Sequence, residues 1–298
     1  MDEIAFSDPA SPCDEDEFSF GDYFAAEDAL LSLAESLHTA LGAGEIRVVG
    51  PILGVPLPGW LSEFRNSTVV TGEQALRLLR SALRGVRIGC DLSLTEDGSA
   101  LIGIDFDGLL RVDLDERHSC LLLELLPDGL EIAVEQPTPP HDDGQRNIAD
   151  DRFWQALTDL LPKHPDGLLL IERWADGSFG ETWRLANART VDRIRGAVRE
   201  HSLLVVAELP ALEEIDLAAR FDDTSVRALD DLDLRYFRPA PDSPDLGIAP
   251  LTAAALAADP DAWTRPVRVV SSWTAAPLLA AVVPDRATGA VTAHWPTW

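Results

Sequence analysis

The sequence predicts an α+β fold, with antiparallel sheets and helices on one face. Three observations predict it. Segments with apolar residues at helical spacing are interleaved with short alternating or apolar segments. Residues 86–136 carry three turn signals at short intervals, which is the mark of an antiparallel meander. Residues 29–94 and 150–209 both read helix, strand, extended segment, helix, strand. That echo, aligned with Glu73 opposite Thr190, fits either two related α+β halves or two amphipathic helices alike by chance.

Residues 1–28 hold ten acids and no Lys or Arg, and read as a disordered acidic tail. Phe6, Phe18, Phe20, Tyr23 and Phe24 are interleaved with those acids, so part of the tail is a candidate to order on a partner or on the body. A helix is expected over residues 25–41, where Leu30, Leu33, Leu37 and Leu41 form one stripe and Gly42 and Gly44 stop it. A short strand follows at 45–49. Thr71 is a plausible N-cap for a second helix that buries Leu76, Leu79 and Leu83. The meander is expected as strands at 87–94, 100–106, 109–114, 120–126 and 130–134. Residues 137–149, rich in proline and acid, form the best linker. The organisation is therefore a tail (1–28), an N-terminal unit (29–136), a linker (137–149) and a C-terminal unit (150–298).

The C-terminal unit opens with a helix at 150–161. A hairpin follows around Asp176-Gly177, with Trp174 and Trp183 placed to pair across it. A helix at 191–199 and a buried strand at 203–209 come next. Residues 212–245 carry no clear pattern. A short helix at 251–258 and strands at 267–273, 278–283 and 290–295 close the chain.

Chemistry-bearing motifs are sparse. Asp105-Phe106-Asp107-Gly108 follows an apolar run, and two carboxylates on one face offer hard oxygen ligands for Mg²⁺. The motif resembles the first motif of haloacid-dehalogenase-type phosphatases and the metal motif of primase-like polymerases. Leu109 stands where the dehalogenase pattern has Thr, and Asp107-Gly108 is also a strong hairpin signal. Asp105 and Asp107 are thus weak metal candidates, and no cofactor is expected. The six histidines show no metal spacing with one another or with cysteine. Arg77, Arg80, Arg84 and Arg87 continue one helical stripe, a candidate dock for an anion or for the acidic tail. Trp295 and Trp298, with Phe18, Phe20, Tyr23 and Phe24, are the candidate partner-binding aromatics.

Charge restricts the function classes. Fifty-one acids stand against 24 bases in 298 residues, a net charge of −27. Such a chain repels phosphate backbones and anionic lipid surfaces. Neither a nucleic acid nor a membrane is expected as partner. The odd cysteine count of three, without a C-x-x-C, and an acidic rather than basic start predict a cytoplasmic protein. One lysine against 23 arginines, with abundant Ala, Asp, Leu and Pro, matches GC-rich bacterial coding. The expected function is non-catalytic capture of a basic protein partner, as by an immunity or inhibitor protein or a secretion-type chaperone. The competing expectations are metal-dependent phosphoryl transfer or hydrolysis at Asp105 and Asp107, and mimicry of nucleic acid by an acidic surface.

Overall fold

Helices and antiparallel strands alternate as the periodicities predict, in two compact units, Met1–Asp142 and Asp143–Trp298. The structure, a computed structural model, describes residues 2–4, 20–55, 57–61, 64–86, 88–104, 109–127, 130, 133–134, 147–177, 179–210, 213–220, 234–237, 248–257, 259, 262, 267–270, 276–291 and 295.

The first unit contains β1 (Asp2–Ile4), α1 (Phe20–Ala40), β2 (Ile46–Leu53), β3 (Val69–Val70), α2 (Gly72–Leu83), β4 (Ile88–Ser93), β5 (Ala100–Ile104), β6 (Leu110–Leu114), α3 (Ser119–Leu125) and β7 (Ala133–Val134). Its sheet runs β3-β2-β4-β5-β6-β1-β7, with neighbours antiparallel. Leu30, Leu33, Ala34 and Leu37 bury one face of α1. Gly42, at φ +102°, turns the chain out of the helix, and Ala43 N–H closes the end on the His38 carbonyl at 2.9 Å. α2 starts in a capping box: the Thr71 hydroxyl accepts from Gln74 N–H at 3.2 Å, and the Gln74 side chain accepts from Thr71 N–H at 3.0 Å. Burial alternates along β4 from Ile88 to Leu92, so one face of the sheet packs under α2 and the other stays half-exposed.

Three expectations for this unit change. The acidic tail does not extend to residue 28, because α1 begins at Phe20, and Asp2–Ile4 pairs between β6 and β7. Residues 5–19 lie outside the described residues. Residues 120–126, expected as a strand, belong to helix α3. Four leucines in seven residues, none branched at Cβ, favour a helix. The strand expected at 45–49 continues through Pro51 to Leu53, with a register shift against β4 between Val49 and Ile52.

The second unit contains α4 (Asp151–Leu160), β8 (Leu168–Arg173), β9 (Glu181–Ala186), α5 (Val191–Ala197), β10 (Leu203–Glu208), β11 (Glu213–Ile215), α6 (Leu217–Arg220), β12 (Arg235–Phe237), β13 (Ile248–Pro250), α7 (Ala253–Ala257), β14 (Val267–Val270) and β15 (Leu279–Val282). One sheet runs β15-β10-β8-β9 and another β11-β14-β12-β13. Asp150 caps α4, accepting from Arg152 and Phe153 N–H at 2.9 and 3.2 Å. Phe153, Trp154, Leu157, Val191 and Ile194 pack on Leu168, Leu170, Leu204 and Val206. Leu169, Ile171, Trp183, Leu203, Val205 and Val282 form a second layer with Val270 of β14 and Trp295.

Two expectations change here. Trp174 and Trp183 do not pair: Ile171 stands opposite Trp183, and Trp174 lies beyond the strand with Arg199 over its ring. The strand expected at 290–295 is not formed at Ala290, Val291 or Trp295. The Asp285 carboxylate instead accepts from Ala287 and Thr288 N–H and from the Thr288 hydroxyl, which organises a tight turn.

The internal echo has a structural counterpart. α1-β2-β3-α2-β4 and α4-β8-β9-α5-β10 share one wiring, in which the first strand is central and the next two pair on either side of it. A related turn precedes α5, although Thr190 at the helix N-cap makes no side-chain cap bond. Asn187 Oδ1 accepts from Arg189 N–H at 2.9 Å, and Thr190 Oγ1 accepts from Asn187 N–H at 3.0 Å. Asn187 and Thr190 therefore play the parts of Thr71 and Gln74, and the buried Val191 and Ile194 follow as Ala75 and Leu78 do. This places Gln74, not Glu73, opposite Thr190, one residue from the alignment read in the sequence.

Candidate functional site

The residues singled out on α1 and α2 meet at the ends of those helices. Glu27, only 4% exposed, accepts from Arg80 Nε at 3.0 Å and from Arg84 Nε and Nη2 at 2.7 and 2.8 Å. The hydrogen bond from Arg84 outweighs burial and lowers the Glu27 pKa. Arg80 also lies 3.7 Å from Asp28. Two acids that the sequence reading placed in the tail thus hold two of the four arginines. Arg77 stacks on Trp60, 4.1 Å from the ring centroid, and Arg87 lies outside the described residues. The Tyr23 hydroxyl donates to the Leu83 carbonyl at 3.2 Å. Phe24 meets Tyr23 edge-on at 5.6 Å, carries Arg84 near its ring and remains 48% exposed. Phe20 opens the same helix.

A cleft of about 590 Å³ lies between the C-terminal end of α2 and strands β2, β4, β5 and β6. Ile52, Val86, Ile88, Cys90, Ile104 and four glycines give it an apolar lining, and Asp91 and Arg111 supply the charge. Register explains the charged pair. Asp91 stands opposite Gly103, and Gly103 opposite Arg111, so all three share one sheet face across β4, β5 and β6. A Cβ at position 103 would lie 2.1 Å from Asp91 Oδ1. Glycine therefore leaves the gap over which Arg111 Nη2 reaches Asp91 Oδ2. Asp91 Oδ1 receives no donor among the described residues. Burial raises the Asp91 pKa despite Arg111, and Asp113 adds to the rise. Burial, with Asp91 beside it, also pushes the Cys90 thiol far up, so it stays protonated and unreactive.

A second cluster lies in the other unit. Ligand atoms of Glu200, His201 and Asp285 fall within 4.8 Å of one another. Arg286 already serves this cluster: its N–H donates to Glu200 at 3.2 Å, and its Nε lies 3.6 Å from the same oxygen. One Asp285 oxygen is engaged by the turn described above. The cluster escaped sequence reading because Asp285 is remote from His201, with no spacing signal to link them.

The remaining sequence candidates fall as follows. Trp295 is a correction: it is 2% exposed and donates from Nε1 to the His201 carbonyl at 2.8 Å, so it is core rather than a partner anchor. Phe18, Trp298 and the Asp105–Asp107 motif lie outside the described residues. The strands flanking that motif are antiparallel neighbours, whereas the dehalogenase pattern sits in a parallel sheet. Asp91, Gly103 and Arg111 were missed. The isolated glycine in an apolar strand was the one available signal. No family model, curated protein or solved structure matches the chain.

Proposed function

We propose that this protein is a non-catalytic binding protein that captures a basic protein partner in the cytoplasm, as an immunity or inhibitor protein or a secretion-type chaperone does. One observation carries the reading: an apolar cleft whose carboxylate, Asp91, keeps one oxygen without a donor among the described residues, in a chain of net charge −27. Exposed Phe24 and Val86, at 48% and 44%, provide apolar contact near the end of α2. Long-range attraction by the acids would speed encounter, and short-range apolar contacts would set residence time. No helix among the described residues is long and apolar enough to cross a membrane.

The test is capture from a lysate of the native host with wild type beside the double variant Phe24→Glu, Val86→Glu, followed by kinetics with the protein retained. The expected partner is basic and lost by the variant, and its association rate falls about tenfold or more from low to high salt. An acidic partner, or an association rate flat with ionic strength, overturns the proposal.

A further inference from the structure

We infer that the cleft of the first unit seats a lysine side chain of the protein partner, with its stem against Ile52, which shares the sheet face of Asp91, and its ammonium at Asp91. The inference rests on the basic-partner reading above and names the contact that reads the charge.

The chemistry of the lining selects this occupant. Asp91 has two oxygens, and Arg111 engages Oδ2 alone. Oδ1 lies over Gly103, where the missing side chain keeps the approach open. A carboxylate offers about four lone-pair sites, so a second donor is accommodated without displacing the first. Among the described residues the local charge is unbalanced, because Asp91 and Asp113 stand on the same sheet face as Arg111, while Arg47 on that face is already paired with Glu45. An incoming cation relieves that excess, whereas an anion meets it. The Asp91 side chain is 28% exposed, so the group is accessible yet partly desolvated, and a charge-assisted bond there is stronger than in open water. The aliphatic lining suits a methylene stem, which lysine buries readily while its head finds a polar group. A hard divalent ion is a poorer fit, since the guanidinium of Arg111 already neutralises one oxygen of Asp91 and repels a second cation of double charge.

The experiment uses the full chain, labelled with ¹⁵N, and no partner. The probes are acetyl-lysine-N-methylamide, acetyl-norleucine-N-methylamide, which keeps the four-carbon stem without the ammonium, and free lysine. The readout is the amide shifts of Gly50, Gly85 and Gly89, which line the cleft. The expected result is saturable shifts with the blocked lysine, at least about tenfold weaker with the blocked norleucine. Asp91→Asn should weaken the lysine response by a similar factor. Val86→Trp, at an exposed position that leaves the fold intact, should do so by filling the mouth. No shift with blocked lysine, or equal shifts with norleucine, overturns the inference. A preference of about tenfold or more for free lysine over the blocked form also overturns it, since the cleft would then be an amino-acid site. Because no partner is present, these outcomes are separate from lysate capture. A basic partner can be confirmed while the cleft fails, and the reverse.

Discussion

The two α-β-β-α-β modules share their wiring, and they differ in what covers the sheet face opposite the helices. In the first unit the burial of β4 alternates, and Asp91 faces Val49 on the half-exposed side. In the second unit the first five residues of both β8 and β10 are buried without alternation, and Val205 faces Ile171 on the equivalent side. There Val270 of β14 and Trp295 complete a second apolar layer. One wiring thus serves two ends. A sheet covered on both faces is a packing element, and a sheet left open on one face can carry charge and a cleft.

Exchanging the residues that mark the difference gives the largest expected effect. Val205→Asp places an unpaired carboxylate between two apolar layers, at 0% exposure. The expected cost is on the order of 5 kcal/mol or more, enough to unfold the second unit. Tryptophan fluorescence reads this directly, because Trp60 is the only tryptophan of the first unit. A variant with native fluorescence and an unchanged urea midpoint would show that the face is not sealed.

Glu172 offers the next largest effect. It is fully buried on the helix side of β8, accepting from Arg184 Nη2 at 2.7 Å and from Arg199 N–H at 2.6 Å. Arg184→Met removes the nearer of two charged partners, Arg199 Nη1 lying 3.5 Å away, and leaves the carboxylate buried, so about 3 kcal/mol should be lost in urea denaturation. A loss below about 1 kcal/mol would mean that water or Arg199 compensates.

This contrast between the units was partly legible in the sequence. The continuous run Leu168-Leu169-Leu170-Ile171 announces a strand buried on both faces, as does Leu203-Leu204-Val205-Val206, while Ile88-Gly89-Cys90-Asp91-Leu92 announces one covered face. The cap at Thr71 was legible because its partner is three residues away. α3 was misread because a leucine run has no period that separates helix from strand. The Asp91–Gly103–Arg111 row was hidden, since its members are twelve and eight residues apart and meet only through strand register. Trp295 was misplaced because its anchor is the backbone of His201, which no local pattern reveals.

Glu27 is a buried acid of the first unit, and it ties helix to helix where Glu172 ties a strand to the loop after α5. Its arginine partners are about half exposed, so Glu27→Gln should cost about 2 kcal/mol, less than the loss in the second unit. The pH dependence has a definite sign. The folded pKa is lowered from the ordinary 4.5, so this stabilisation is complete above that value and drains away as pH falls below it. The stability gap between wild type and Glu27→Gln should therefore shrink between pH 7 and pH 3. A gap that is constant with pH would assign the loss to packing alone.

The smallest expected effect lies at Asp91, and its sign is what separates the open face from the sealed one. Burial raises the Asp91 pKa even with Arg111 beside it, so the charged carboxylate costs the fold something at neutral pH. A raised carboxylate pKa means that the folded chain holds its proton more tightly than the unfolded chain, so this cost fades as pH falls through the folded pKa. Asp91→Asn removes the cost and also weakens the bond to Arg111, which Asp113 on the same strand is placed to receive. The net change should lie within about 1 kcal/mol of zero, on the stabilising side if desolvation prevails. Chemical denaturation at pH 7 and pH 4.5, followed by amide exchange in β4 and β5, measures it. A loss above about 2 kcal/mol would make the Asp91–Arg111 pair a structural brace like Glu172 and its arginines. A neutral or stabilising outcome, with lysine binding lost, would mark Asp91 as a residue kept for what it contacts outside the chain, at some expense of stability.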